Sequence, residues 1–178
     1  MKPLNYLLIL LFTLGVAACD QVVAPDTEAT EPLSHLVAEA PPHSMASGTF
    51  TQTGITSIEF GSAGPNTIIE QTSVGTVAGT LSGTYEDDLR VVIHPNGNFN
   101  AKFTIRCECT VGGQQGVIDF VATDRGQLVS ETLAEFTGRA VITGASGDLA
   151  GLRGVLGIEG TIDLATGLST YDYSGRIH

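Results

Sequence analysis

From Asn98 to Val111 the chain alternates without a break. Phe99, Ala101, Phe103, Ile105, Cys107, Cys109 and Val111 hold the odd positions, while Asn98, Asn100, Lys102, Thr104, Arg106, Glu108 and Thr110 hold the even ones. Successive side chains of a strand point to opposite faces, so the pattern predicts one long strand with a dry face and a wet face. A helix would scatter the same residues around its circumference.

Similar segments fill the chain from about residue 46 onward. Ser47 to Thr53 and Asn66 to Thr72 read as short strands, the second following the Gly61–Asn66 loop. Val74 to Tyr85 reads as one strand, with Gly75, Val77, Gly79, Leu81, Gly83 and Tyr85 on one face. Alternation of small and large residues along a face suits the taper of a small barrel. Leu89, Val91 and Ile93 share a face, and His94-Pro95-Asn96-Gly97 turns the chain into the long strand. Gly112-Gly113 turns it again, into Gly116 to Thr123. Gln127 to Leu133 has a composition compatible with helix. Three more alternating runs follow, around Ala134–Ile142, Leu156–Ile162 and Tyr171–Ile177. Roughly eight strands at this spacing predict an all-β sandwich or barrel. One dry face per strand suits antiparallel pairing around a single core, and closure would remove exposed edges.

Ahead of this domain the pattern changes. Lys2 precedes a short apolar run, Leu7 to Val16, which ends in Val16-Ala17-Ala18-Cys19. That is the layout of a secretory signal over residues 1–18. Val-Ala-Ala-Cys also resembles the lipobox of bacterial lipoproteins, which implies a diacylglycerol on Cys19 and attachment to a membrane of the bacterial envelope on its extracytoplasmic side. Residues 19–45 carry Pro25, Pro32, Pro41 and Pro42, five carboxylates and neither Lys nor Arg. Prolines oppose helix and ladder, and like charges repel, so a flexible tether is expected there. The domain is expected to span 46–178.

The formal charge of −11 and the lack of any basic patch argue against nucleic acid as a partner. His35 and His43 have no further ligand at a metal-binding spacing, so no metal is expected, nor any cofactor. Acid–base chemistry needs a sheltered titratable group, and almost every charge is expected on a wet face. Glu86-Asp87-Asp88 reads as a solvated acidic turn and His94 as a solvated turn residue. Asp119 is ambiguous, since Val117 and Val121 share its face. No catalytic residue is assigned. Cys107 and Cys109 share a face with Cα atoms expected roughly 6.6 Å apart, near the upper limit for a disulfide. Two buried free thiols are therefore expected, although export favours oxidation.

Gly144-Ala-Ser-Gly-Asp-Leu-Ala-Gly-Leu-Arg-Gly154 lacks the Lys and the spacing of a phosphate loop. It reads as a tight connection in which Leu149 and Leu152 plug one end of the fold while glycines take positive φ. Together with Val155–Asp163, the opening Ala46–Thr51, the glycines 112, 113 and 116 and the closing Ser169–Ser174, it resembles the DUF3224 family of small bacterial proteins. Their fold is similar to the allene oxide cyclase and dirigent barrels. The resemblance implies an eight-stranded antiparallel β-barrel that encloses a small apolar cavity. Related barrels include cyclases, and dirigent proteins orient radicals without acid–base work. The dry faces allow a filled core or a pocket for a small apolar ligand, with Tyr85, Phe103, Tyr171 and Tyr173 as the candidate contacts. A cyclase-like or isomerase-like enzyme is the third possibility. The pattern does not separate the three, and it is silent on oligomeric state.

Overall fold

The structure, a computed structural model, describes residues 44–178. Eight antiparallel strands follow in chain order: β1 (Ser44–Ala63), β2 (Asn66–Gly79), β3 (Leu81–Ile93), β4 (Asn98–Val111), β5 (Gln114–Leu128), β6 (Leu133–Ala145), β7 (Gly154–Asp163) and β8 (Leu168–Ile177). Each pairs with its sequence neighbours, and β8 pairs back onto β1, closing an up-and-down barrel. The fold class read from alternation and resemblance is the observed one. Cys19 and the expected signal and tether up to residue 43 lie outside the described residues.

β4 realises the alternation in full, with every odd residue from Phe99 to Cys109 buried and every even one from Asn98 to Glu108 exposed. The expected single strand Val74–Tyr85 is instead a hairpin, broken at Gly79 and Thr80. Gly79 takes φ +117°, and Thr80 N donates to Ser47 O at 2.9 Å. The turn keeps the parity of the pattern, since Val77 before it and Leu81 after it both point inward. Alternation alone therefore could not reveal it. Gln127–Leu133 is not helical: β5 runs on to Leu128 and a short turn leads into β6. β1 extends ten residues past the expected Thr53. Register shifts between Gln52 and Gly54 and between Ile55 and Ser57 scramble its pattern, so the extension shows no clean dry face.

The two ends of the barrel differ. At the lower end lie the turns after β2, β4 and β6, together with the start of β1 at Ser44 and the end of β8 at Ile177, which face each other in the ladder. A single 3₁₀ turn, Gly147–Leu149, caps this end; Leu149 is 4% exposed, and Leu152 packs against the core. The expected plug is present. Gly116 makes room for it, because a Cβ there would meet Ser146 O and Leu149. Above the cap, Phe50 is the centre of a ring cluster: it stacks on Tyr171 (5.1 Å, 10°) and meets Tyr85 (5.2 Å), Tyr173 (5.3 Å) and Phe120 (6.4 Å) edge-on.

Cys107 and Cys109 face this filled half and form a disulfide, where free thiols were expected. Their Cα atoms are 5.3 Å apart rather than the roughly 6.6 Å of an ideal strand. That distance lies within the usual disulfide range.

Candidate functional site

Above the ring cluster the barrel is hollow. A cavity of about 430 Å³ opens at the upper end, between the turns at 64–65, 94–97, 129–132 and 164–167. Every strand contributes to its wall. Most of the lining is aliphatic or aromatic: Ile69, Leu89, Val91 and Ile93 from β2 and β3, Phe99 and Phe103 from β4, Phe136 from β6 and Ile162 from β7. Ala101 and Ala134 line it too, and their small side chains leave the space unfilled. Exposed Ile58, Phe60, Leu128 and Leu164 form an apolar rim.

The mouth exists because β1 leaves β8. Their backbone pairing ends at Thr51 and Thr170, and β1 continues upward on β2 alone. Gln52, 5% exposed, takes over where the ladder stops: its Oε1 accepts hydrogen bonds from Ser169 N (2.8 Å) and Ser169 Oγ (3.1 Å). The buried amide oxygen is thereby satisfied, as burial requires.

Two carboxylates enter the same cavity. Tyr85, Asp87, Leu89, Val91 and Ile93 share the inward parity of β3, and Ile118, Phe120, Ala122 and Asp124 that of β5. Asp87 is 8% exposed and Asp124 9%. The expectation that Glu86-Asp87-Asp88 forms a solvated turn is thus overturned. The triplet lies inside β3, with Glu86 and Asp88 outward and Asp87 inward. Asp124 follows the expected end of its strand at Thr123 by one residue. In both cases the existing phase, carried a few residues further, would have found the carboxylate.

The two are held differently. Ser73, fully buried on β2, donates its hydroxyl to Asp87 Oδ1. Burial raises the Asp87 carboxyl above its usual range, the Ser73 hydrogen bond opposes that shift, and nearby Asp88 adds to it. Asp124 Oδ1 has no hydrogen-bond partner. Its carboxylate lies against Gly138, its register partner on β6, where a Cβ would overlap it. Burial alone pushes Asp124 up to about 7. Tyr171, 4% exposed, also has an unpartnered hydroxyl. Burial raises its pKa first, and Tyr85, Asp87 and Asp124 each raise it further. Burial likewise raises Tyr85, and the charge of Asp87 adds to it.

Of the four candidate contact residues, Phe103 and Tyr171 line the cavity. Tyr85 and Tyr173 belong to the filled half instead. Tyr173 pins the β2–β3 turn, its hydroxyl accepting from Leu81 N at 2.8 Å. Asp119 faces outward and pairs with Arg106 at 3.1 Å. His94 is half-buried at its turn, its Nδ1 3.1 Å from Asn66 Oδ1 and its Nε2 3.1 Å from Asn100 Nδ2. Among the described residues no three of His, Cys, Asp and Glu gather as a metal site.

No protein-family model matches the chain, and no curated protein matches it. Among solved structures, the pterocarpan synthase dirigent protein GePTS1 overlaps 76% of this chain and 86% of its own, at 15% identity and a TM-score of 0.44. The pterocarpan synthase dirigent protein PsPTS1 overlaps 78% and 96%, at 15% identity and a TM-score of 0.30.

Proposed function

We propose that the barrel binds a small, mostly apolar molecule in its upper half, and that a lipid on Cys19 holds the chain at a membrane of the bacterial envelope. One observation carries the binding reading: a cavity of about 430 Å³, open at one end, with apolar walls and a few buried polar groups converging inside it. Binding sites for small molecules have this size and this mixture. The aliphatic walls gain by excluding water, and Gln71, Asp87, Asp124 and Tyr171 supply orientation. The segment Gly144–Gly154 with β7 is what supports placing the chain beside the DUF3224 proteins. The anchor reading rests on the Val16–Cys19 motif, and a chain tethered there enters the barrel at Ser44, at the end opposite the mouth.

Native mass spectrometry of the full chain carrying Cys19→Ser tests the binding reading. A bound small molecule is expected in a fraction of the population, and it should be lost when the cavity is blocked. A bare mass after incubation with apolar extract of the host cell would sink the reading. Membrane fractionation of the same variant tests the anchor: wild type is expected in the membrane fraction and Cys19→Ser in the soluble one. Retention of the variant on membranes would sink that part alone.

A second reading has its own support. Sheltered carboxyl groups are what acid–base chemistry requires, and Asp124, with a pKa near 7, stands where it can exchange a proton with a bound molecule. An isomerising or cyclising enzyme would use it so. If the co-purified molecule is converted by wild type and not by Asp124→Asn, this reading supersedes simple binding.

A further inference from the structure

The charge inside the barrel is of one sign. Among the described residues, the titratable groups that face inward are Asp87 and Tyr85 on β3, Asp124 on β5, and Tyr171 and Tyr173 on β8. β1 and β2 add only the neutral Gln52, Gln71 and Ser73, β4 contributes a bonded cysteine pair, and β6 and β7 contribute nothing ionisable. Among the described residues no Lys, Arg or His lines the cavity. Lys102, Arg125 and Arg139 point outward, and Arg90 and Arg106 are spent on outer-face pairs with Glu70 and Asp119.

A buried carboxylate without a cation or donors is costly. Asp87 has Ser73, whereas Asp124 Oδ1 has nothing, although it is more than nine-tenths buried. The space for that carboxylate is nevertheless built in, because only a glycine at position 138 leaves room for it. Asp87, Asp124 and Tyr171 all line this one cavity. What this region lacks is a donor carrying positive charge. A carboxylate ligand would meet like charge there. A neutral ligand could donate a hydrogen bond to Asp124 but would leave its charge unbalanced.

We propose that the ligand of this cavity is an apolar amine, its body against the aliphatic and aromatic walls and its ammonium group against Asp87 and Asp124. The proposal rests on the binding reading above and names the chemical class of the ligand. An ammonium supplies the missing donors and neutralises the carboxylates, and charge-assisted hydrogen bonds in a dry site are the strong ones. Binding then favours the ionised carboxyl, so the amine displaces a proton from Asp124 wherever that group is still protonated. The preference for an amine must therefore grow as pH rises through neutrality and shrink in acid.

Calorimetric titration of the full chain carrying Cys19→Ser, in buffer free of detergent, tests this with matched probes. These are 1-aminoadamantane, 1-adamantanol and adamantane-1-carboxylate, with the n-octyl amine, alcohol and carboxylate as a second skeleton. At about pH 8 the amine is expected to bind at least about ten-fold tighter than the alcohol, with the carboxylate weakest. At about pH 5 the amine's advantage is expected to fall below about three-fold, because Asp124 is then largely protonated. Near neutrality, buffers of different ionisation enthalpy should reveal proton release with the amine and none with the alcohol. Asp124→Asn is expected to bring the amine down to the affinity of the alcohol at about pH 8. The pH series on the unmutated cavity decides the matter even if that variant folds poorly. An alcohol that matches the amine at about pH 8, or a carboxylate that beats it, overturns the amine proposal and leaves the binding reading intact. If neither skeleton binds in any form, both fall.

Discussion

The lower and upper halves of this barrel are made from the same eight strands, yet one is solid and the other hollow. Strand number cannot be the cause, since a barrel of eight strands can be filled or can hold one small ligand. Side-chain size and strand path decide. Below, Phe50, Tyr85, Phe120 and Tyr173 fill the section with rings, and the 3₁₀ turn with Leu149 closes the end. Above, the small Ala101 and Ala134 line the wall, and β1 departs from β8 after Thr51. The buried carboxyl groups divide the same way, since Asp87 and Asp124 both lie at the cavity. Unpartnered oxygens do not divide so cleanly: Tyr85 Oη in the filled half is unpartnered, as are Asp124 Oδ1 and Tyr171 Oη at the cavity. Solid packing goes with a structural role, and a hollow lined by buried carboxyl groups goes with a site.

Truncating one ring in each half is the strongest way to break that contrast. Phe50 is 2% exposed and touches four other rings, so Phe50→Ala is expected to cost about 4 kcal/mol, the usual price of deleting a core aromatic. Phe136 already borders the void and meets Tyr171 alone among the rings, so Phe136→Ala should cost about 2 kcal/mol or less. Urea unfolding of both variants measures the difference. Equal losses would mean that the upper half is packed like the lower one.

The second test uses the unpaired carboxylate. Asp124 holds its proton up to about pH 7 in the folded barrel, whereas an unfolded chain releases it near the usual Asp value of about 4. Between those limits the folded state binds more protons, so stability falls as pH rises through the window and the loss is complete above it. Water entering through the mouth reduces the effect below the full three-unit value, leaving about 2–3 kcal/mol. Asp124→Asn removes the titrating group. It is therefore expected to stabilise the barrel by that amount at about pH 8 and to change little at about pH 4. A variant with the same pH slope as wild type would show that Asp124 is not the buried acid. Asp87 should contribute a slope of the same sign, opposed by its Ser73 hydrogen bond.

How far the two halves could be read from sequence follows from how each is encoded. Alternation is a two-residue signal, and it delivered β4, the strand count and the inward tyrosines at 85, 171 and 173. It failed wherever the phase survived a turn, as at Gly79-Thr80, or was shifted within a strand, as at Gln52 to Ser57. The site suffered from a different weakness. Three consecutive acids, Glu86-Asp87-Asp88, outweigh by composition the parity that sends only the middle one inward. Asp124 sits beside exposed Thr123 and Arg125, so local polarity marks a strand end where phase marks a buried position. Two residues of one strand fell to the same error in the opposite direction: the spacing of an ideal strand argued against the Cys107–Cys109 disulfide that the local geometry permits. Composition describes neighbours in sequence, and a barrel interior is made of neighbours across strands.

Overfilling sharpens the comparison with the smallest change in stability. Ala122 on β5 is completely buried outside the cavity, and Ala101 on β4 lines the cavity wall beside Asp124, its register partner. Leucine at either position adds three carbons. At position 122 these have no empty space to enter, so Ala122→Leu forces strained rotamers or backbone shifts and is expected to cost about 2 kcal/mol. At position 101 they point into the hollow. Ala101→Leu is therefore expected to change stability by less than about 1 kcal/mol, and the added apolar contact offsets the lost side-chain freedom. It should also abolish ligand retention in native mass spectrometry, since the cavity space beside Asp124 becomes occupied. The two readouts must separate: the variant that unfolds more easily is the one that leaves the cavity clear, and the stable one is the one that empties it. If Ala101→Leu instead destabilises the barrel as much as Ala122→Leu, the upper half has no spare volume, and the distinction between a structural half and a binding half fails at its foundation.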